Sequence, residues 1–135
     1  MNNVLIISST GDGITVSGTN LFIQYATILR NGGEAIYLIP PALNLTVLNT
    51  IIANNGGANP APAIYFEGGY TGASPLVMTN VDMVQNGANQ DTVNAPVTGP
   101  ILHYDPMFIN EYDISPSSVL DSLEKAGTVI GYRKK

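Results

Sequence analysis

The chain has no cysteine and no tryptophan, one histidine, and very little charge. Without cysteine there is no disulfide, no thiolate nucleophile and no thiolate metal site. Lys, Arg, Asp and Glu make up only 11% of the 135 residues, less than half the usual share. Exposed helical faces normally carry Lys and Glu, so long surface helices are disfavoured. Positive charge is scarcer still. Arg30 is the only basic residue before Lys125, against ten carboxylates, and Arg133, Lys134 and Lys135 come at the very end. Such a surface repels phosphate backbones, which makes nucleic acid a poor partner. No apolar run approaches the ~18–20 residues of a membrane-spanning helix. The first residues show no basic region followed by an apolar stretch and a cleavage site.

What the chain does have is Asn, Gly, Thr, Ser and Pro between short apolar stretches, a composition of strands and turns. One signal recurs: "LRNGG", "ANNGG" and "VQNGA". With Asn31, Asn55 and Asn86 superimposed, the preceding residues fall into columns. Leu21, Leu45 and Leu76 align, as do Ile23, Val47 and Met78. Ala26, Thr50 and Val81 form a third column, and Ile28, Ile52 and Met83 a fourth. After the turn, Ile14, Ile36 and Ile64 align, then Val16, Leu38 and Phe66. Each of these last pairs is spaced by two, the period of a strand with one face buried.

Units of 24 and 31 residues built from several short strands predict a solenoid. Each strand would pair in parallel with its equivalent one coil later, ~4.8 Å away. An Asn repeated at one corner of successive coils can hydrogen-bond to the Asn above and below, and Asn and Gly both accept the left-handed backbone of a sharp corner. Asn31, Asn55 and Asn86 are expected to form one such ladder; Asn49 and Asn80, with Tyr25 in their column, form a shorter one. The expected fold is all-β, a parallel β-helix of about five coils.

The stretch "NLTVLNTIIANNGG…AIYFEGG" resembles the repeats of right-handed parallel β-helix proteins of the pectate-lyase-like superfamily. "DPMFIN", "YDISPSSVLDSLEKAG" and "VIGYRKK" resemble the closing pattern of bacterial choice-of-anchor Q proteins. Asp105, Pro106, Phe108, Ser115, Pro116, Asp121, Gly127, Ile130 and Gly131 occupy the matching positions. The resemblance implies a right-handed coil and an extracellular or cell-surface location. It does not imply one activity, because the superfamily holds lyases, hydrolases, tail spikes, adhesins and scaffolds.

Residues 1–110 are expected to form the coils, the first of them incomplete, and 111–135 a closing segment with a basic tail. "SSVLDSLEKAG" is the one helix signal, with Ser117 or Ser118 as N-cap, Leu120 and Leu123 inward, Lys125 near the negative end and Gly127 as stop. This segment would close the last coil. At the other end, Val4 aligns with Ala26 and Ile6 with Ile28, so the chain begins partway round a coil. The open edge there would receive upstream coils of the same protein or another chain.

Candidate chemistry is sparse. Acidic-polysaccharide lyases and hydrolases need clustered carboxylates. The outward column Thr27, Ile51 and Asp82 offers one, expected on a solvated strand. Asp12 and Glu34 share a column in adjacent coils, a possible Ca²⁺ site. His103 has no companion and is expected in the last coil as an ordinary strand or turn residue, with Asp105 shaping a turn. Tyr37 and Tyr65 share an outward column and, with Tyr70, could bind sugar rings or simply stabilise neighbouring strands. The leading expectation is a non-catalytic module acting in structure, adhesion or glycan recognition. The C-terminal portion of a polysaccharide lyase or glycoside hydrolase, and a phage tail-spike-like piece, are the alternatives.

Overall fold

A computed structural model describes residues 1–18, 20–39, 44–57, 61–68, 76–86, 92–93, 97–110, 113–128 and 130–131, with backbone only at 92, 93, 122 and 125. The strands in chain order are β1 (Asn2–Ile7), β2 (Ile14–Ser17), β3 (Leu21–Leu29), β4 (Ile36–Ile39), β5 (Leu45–Ala53), β6 (Ile64–Phe66), β7 (Leu76–Val84), β8 (Thr92–Val93), β9 (Val97–Thr98) and β10 (Ile101–Leu102), followed by helix α1 (Val119–Lys125). Odd and even strands separate into two parallel sheets. The first runs β1-β3-β5-β7-β10, with β9 also on β7; the second runs β2-β4-β6-β8. The molecule is a parallel β-solenoid of about three turns rather than five. β1 pairs with the latter part of β3, and among the described residues β8, β9 and β10 contribute two residues each to the last rung.

The registers are the columns of the repeat. Ile28 pairs with Ile52 and Ile52 with Met83, Leu21 with Leu45, Ile36 with Ile64, and Tyr37 with Tyr65. Val4 pairs with Ala26 and Ile6 with Ile28. The long strands β3, β5 and β7 bend in the middle, where Tyr25, Asn49 and Asn80 adopt positive φ, with Asn3 one coil earlier. A second corner follows at Ser8, Arg30, Asn54 and Gln85, also at positive φ. Two corners five residues apart divide each coil into three short sides. The inward side chains Ile23, Ile28, Ile36, Leu38, Val47, Ile52, Ile64, Phe66, Met78 and Met83 fill one continuous core. Val4, Ile6, Ile14 and Val16 in the first rung, and Val97 and Ile101 in the last, pack on it while only partly buried.

Each ladder asparagine begins the turn into the second sheet. Asn31 donates from its backbone N (3.1 Å) and Nδ2 (2.8 Å) to Asn55 Oδ1. Asn55 repeats the pattern to Asn86 Oδ1 at 3.2 and 2.9 Å. Asn31 Oδ1 in turn accepts from the Ser9 backbone N at 3.0 Å. Asn55 Nδ2 also donates to the backbone carbonyls of Ile28 and Ala53, both at 3.1 Å, and Asn86 Nδ2 to that of Ile52 at 3.1 Å. All three are buried, so each amide replaces the water that a corner would otherwise need. The shorter ladder also forms, with Asn80 Nδ2 donating to Asn49 Oδ1 at 2.9 Å. A further pair joins Asn44 Nδ2 to Asn20 Oδ1 at 3.1 Å, at a corner the repeat alignment did not mark.

The closing segment packs elsewhere than expected. The described residues after β10 lie along the outside of the first sheet instead of across the end of the last coil. Leu120 and Ile130 form a second cluster with Leu29, Ile51 and Ala53, and Ile7, Val84, Leu102, Phe108, Ile114 and Leu123 pack around it. Ser118 is the N-cap: its Oγ accepts from Leu120 N (3.2 Å) and donates to Asp105 O (2.7 Å). Gly127 at positive φ ends the helix, and Thr128 N returns to Leu123 O at 3.0 Å. Gly131 N then bonds Asn49 O at 2.8 Å. Gly131 has φ of 87°, a conformation that strains any side chain, and a Cβ there would meet Ile51 Cδ1 at 2.8 Å and Thr27 Oγ1 at 3.0 Å, so glycine suits the strap's close approach. The strap covers the outer face because that face is itself apolar. β5 reads "TIIA", buried on both sides, where one-sided alternation would leave Ile51 and Ala53 in water.

Candidate binding face

The three sides of the coil present three outer faces. The strap seals the one carrying Thr27, Ile51 and Asp82. Asp82 is 0% exposed, not the solvated strand residue expected, and its Oδ1 accepts from the backbone N of Tyr104 at 2.8 Å. The carboxylate anchors the strap as it leaves β10. Asp105 shapes the next turn, its Oδ1 accepting from Met107 N at 2.8 Å. His103 lies just beyond β10 and is exposed. The expectations at Tyr70, the Lys125 side chain and the tail 132–135 fall outside the described residues.

Among the described residues, the outer face of the second sheet is only part-buried. Outward positions of β2, β4 and β6 place Thr15, Tyr37 and Tyr65 in one column. The two rings stack with centroids 5.5 Å apart and planes 12° from parallel, both half-buried. Parallel pairing of β4 with β6 imposes this spacing, since equivalent side chains sit one strand apart. Carboxylates border the pair. Glu67, which the repeat pattern did not single out, follows β6 and lies close enough to the Tyr37 phenol for its charge to act on it. Partial burial pushes the Tyr37 phenol up from its ordinary value, and the charge of Glu67 adds to this, with smaller contributions from Tyr65 and Glu34. The signal for Glu67 was its place two residues after the outward Tyr65, on the same side of the strand, where the chain turns.

Asp12 and Glu34 are brought together as their column implied. The Asp12 carboxylate is already engaged: Oδ1 accepts from Glu34 N at 3.2 Å, and Oδ2 accepts from Thr15 Oγ1 at 3.2 Å. It bridges two coils as a turn-closing group. Gly33 leaves the room for it, since a Cβ there would strike the Asp12 carboxylate. Among the described residues no three carboxylate, imidazole or thiol groups gather as a cation site. Burial raises the Glu34 carboxyl above its usual 4.5; its own backbone opposes this, and the hydrogen bond and charge of Asp12 add to it. The folded chain therefore holds this proton more tightly than the unfolded one. Its contribution to stability is fully present below the ordinary value of 4.5 and is lost as pH rises through the raised one. Glu34→Gln is expected to flatten the stability-versus-pH curve in that weakly acidic window, read by urea denaturation at a series of pH values. An unchanged slope would remove Glu34 from the acid–base balance of the fold.

Comparisons with protein-family models, curated proteins and solved structures find no match to this chain.

Proposed function

We propose that this chain is a non-catalytic β-solenoid recognition module that binds a glycan on the outer face of its second sheet. The observation that carries this reading is the stacked Tyr37–Tyr65 pair, half-buried and bordered by Glu34 and Glu67, on a face the described strap does not cover. Paired tyrosines give a rigid amphipathic surface at little cost in side-chain entropy, and carboxylates beside them accept hydrogen bonds from sugar hydroxyls or amines. The same carboxylates disfavour uronate polymers by charge. Sealing of Asp82 under the strap counts against the polysaccharide-degrading alternative within these coils. The finer resemblance to choice-of-anchor Q proteins rests on the motifs in 105–131, and with it the extracellular or cell-surface setting.

The test is titration of the chain with neutral, amino-sugar and uronate oligosaccharides, followed by the NMR shifts of β4 and β6. Saturable binding of neutral or amino sugars is expected, weakened about tenfold or more by Tyr65→Ala, a loss typical of one aromatic anchor. Binding that ignores Tyr65→Ala, or none across the panel, overturns the reading. Release of unsaturated or reducing products from a uronate polymer would favour the enzyme. A second role concerns the first rung, where β1 and β2 each pair on one side only among the described residues. We propose that this edge receives further coils, from the same protein or another chain. Light scattering of the same samples tests association between copies: a concentration-independent monomer excludes another copy there, and a trimer would favour the tail-spike alternative.

A further inference from the structure

The ladder asparagines share a second property. Each precedes a glycine: Asn31-Gly32, Asn55-Gly56 and Asn86-Gly87. In a flexible chain an Asn-Gly unit is chemically weak, because no glycine Cβ shields the backbone nitrogen from the preceding side-chain Cγ. We propose that Asn31 and Asn55 are deamidation sites held silent by the coil, and that local opening lets them react to products which cannot re-enter the ladder. The glycine nitrogen gives up its proton to a solvent base and forms a bond to Cγ. The Cγ–Nδ2 bond breaks and nitrogen leaves as ammonia. Water then opens the five-membered imide at either carbonyl, giving aspartate or isoaspartate.

The fold blocks the first step from both sides. The attacking N–H of Gly32 is held by Ser9 O at 2.8 Å, and that of Gly56 by Gly33 O at 2.8 Å and Asn31 O at 3.0 Å. The leaving nitrogens are held too: Asn31 Nδ2 by Asn55 Oδ1 at 2.8 Å, and Asn55 Nδ2 by Asn86 Oδ1, Ile28 O and Ala53 O at 2.9 to 3.1 Å. Both side chains are buried from solvent base. The product is excluded by the same contacts. Aspartate at 55 would turn an oxygen, in place of a donor, towards three acceptors. Isoaspartate adds a methylene to the main chain at a corner where every coil must keep register.

The glycines cannot be exchanged to remove the weakness. A Cβ at Gly32 would run into the carbonyl of Thr10, and Gly56 has φ of 94°. The geometry that makes a tight corner also makes its asparagine reactive once the corner opens.

The full chain is incubated at mildly alkaline pH, folded and in urea, and sampled by peptide mass mapping with isoaspartyl methyltransferase labelling as a second readout. Asn49 and Asn80 are internal comparators, since Thr50 and Val81 shield them with branched side chains. In urea, Asn31 and Asn55 should convert well ahead of both comparators. In the folded chain they should convert about a hundredfold or more slowly, set by the population of opened coil. On removal of urea, the fraction regaining native circular dichroism should fall with the fraction converted, while chain held in acidic urea refolds. Equal rates in folded and unfolded chain, or refolding of converted chain, overturn the proposal. Should the acidic control itself refold poorly, Asn55→Asp decides: a variant as stable as its parent overturns the proposal.

Discussion

Asn55→Ala should lower the unfolding free energy by about 3–5 kcal/mol, at the upper end for a single polar side chain. The substitution deletes one acceptor and one donor that together serve five groups. Asn31 N and Nδ2 lose Oδ1; Asn86 Oδ1, Ile28 O and Ala53 O lose Nδ2. Asn31 is 0% exposed and Asn55 1%, so water cannot replace the lost partner without opening the coil. Each buried donor left without its partner costs ~1–3 kcal/mol, and two of them dominate the total. Asn49→Gly is the matched control. It removes the single part-buried bond to Asn80 yet keeps a residue that accepts positive φ, so about 1 kcal/mol or less is expected. Urea denaturation of both variants checks the difference. Equal small losses would mean that the long ladder is ordinary turn chemistry, with no special role in holding coils in register.

The ladder was legible before the structure because it depends on spacing alone. Ile28, Ile52 and Met83 fix the register, and with register fixed the Asn column must stack. The pairing of Tyr37 with Tyr65 followed for the same reason. The strap was hidden because its evidence lies in two distant segments. Ile51 and Ala53 sit at outward positions of β5, and only a partner covering them explains apolar residues there. Alternation predicts which side of a strand faces the core of its own coil. It does not say whether another part of the chain lies on the opposite side. Asp82 was misplaced in the same way. A lone carboxylate in an outward column reads as solvated, and its burial depends on the backbone N of Tyr104, 22 residues on. Glu67 escaped notice because it lies just after the strand, where period-two counting stops.

Leu120→Ala tests the strap as a packed layer. Leu120 is 1% exposed and contacts the cluster of Leu29, Ile51, Ala53 and Ile130. Truncation should cost about 2–4 kcal/mol, the transfer term plus a cavity that a strap anchored at both ends only partly closes. The anchors are the Asp82 bond to Tyr104 N at one end and the Gly131 bond to Asn49 O at the other. A double-mutant cycle distinguishes a packed strap from a loosely attached one. Leu120→Ala combined with Ile51→Val should depart from additivity by about 0.5 kcal/mol or more, since the two side chains share one cavity. Leu120→Ala combined with Ile64→Val should be additive within about 0.5 kcal/mol, because Ile64 belongs to the inner core. A Leu120 variant that loses little stability and couples to neither position would mean that the outer face of β5 is covered only transiently. Asp82 would then return to solvent, and the first sheet would again be a possible substrate-binding face.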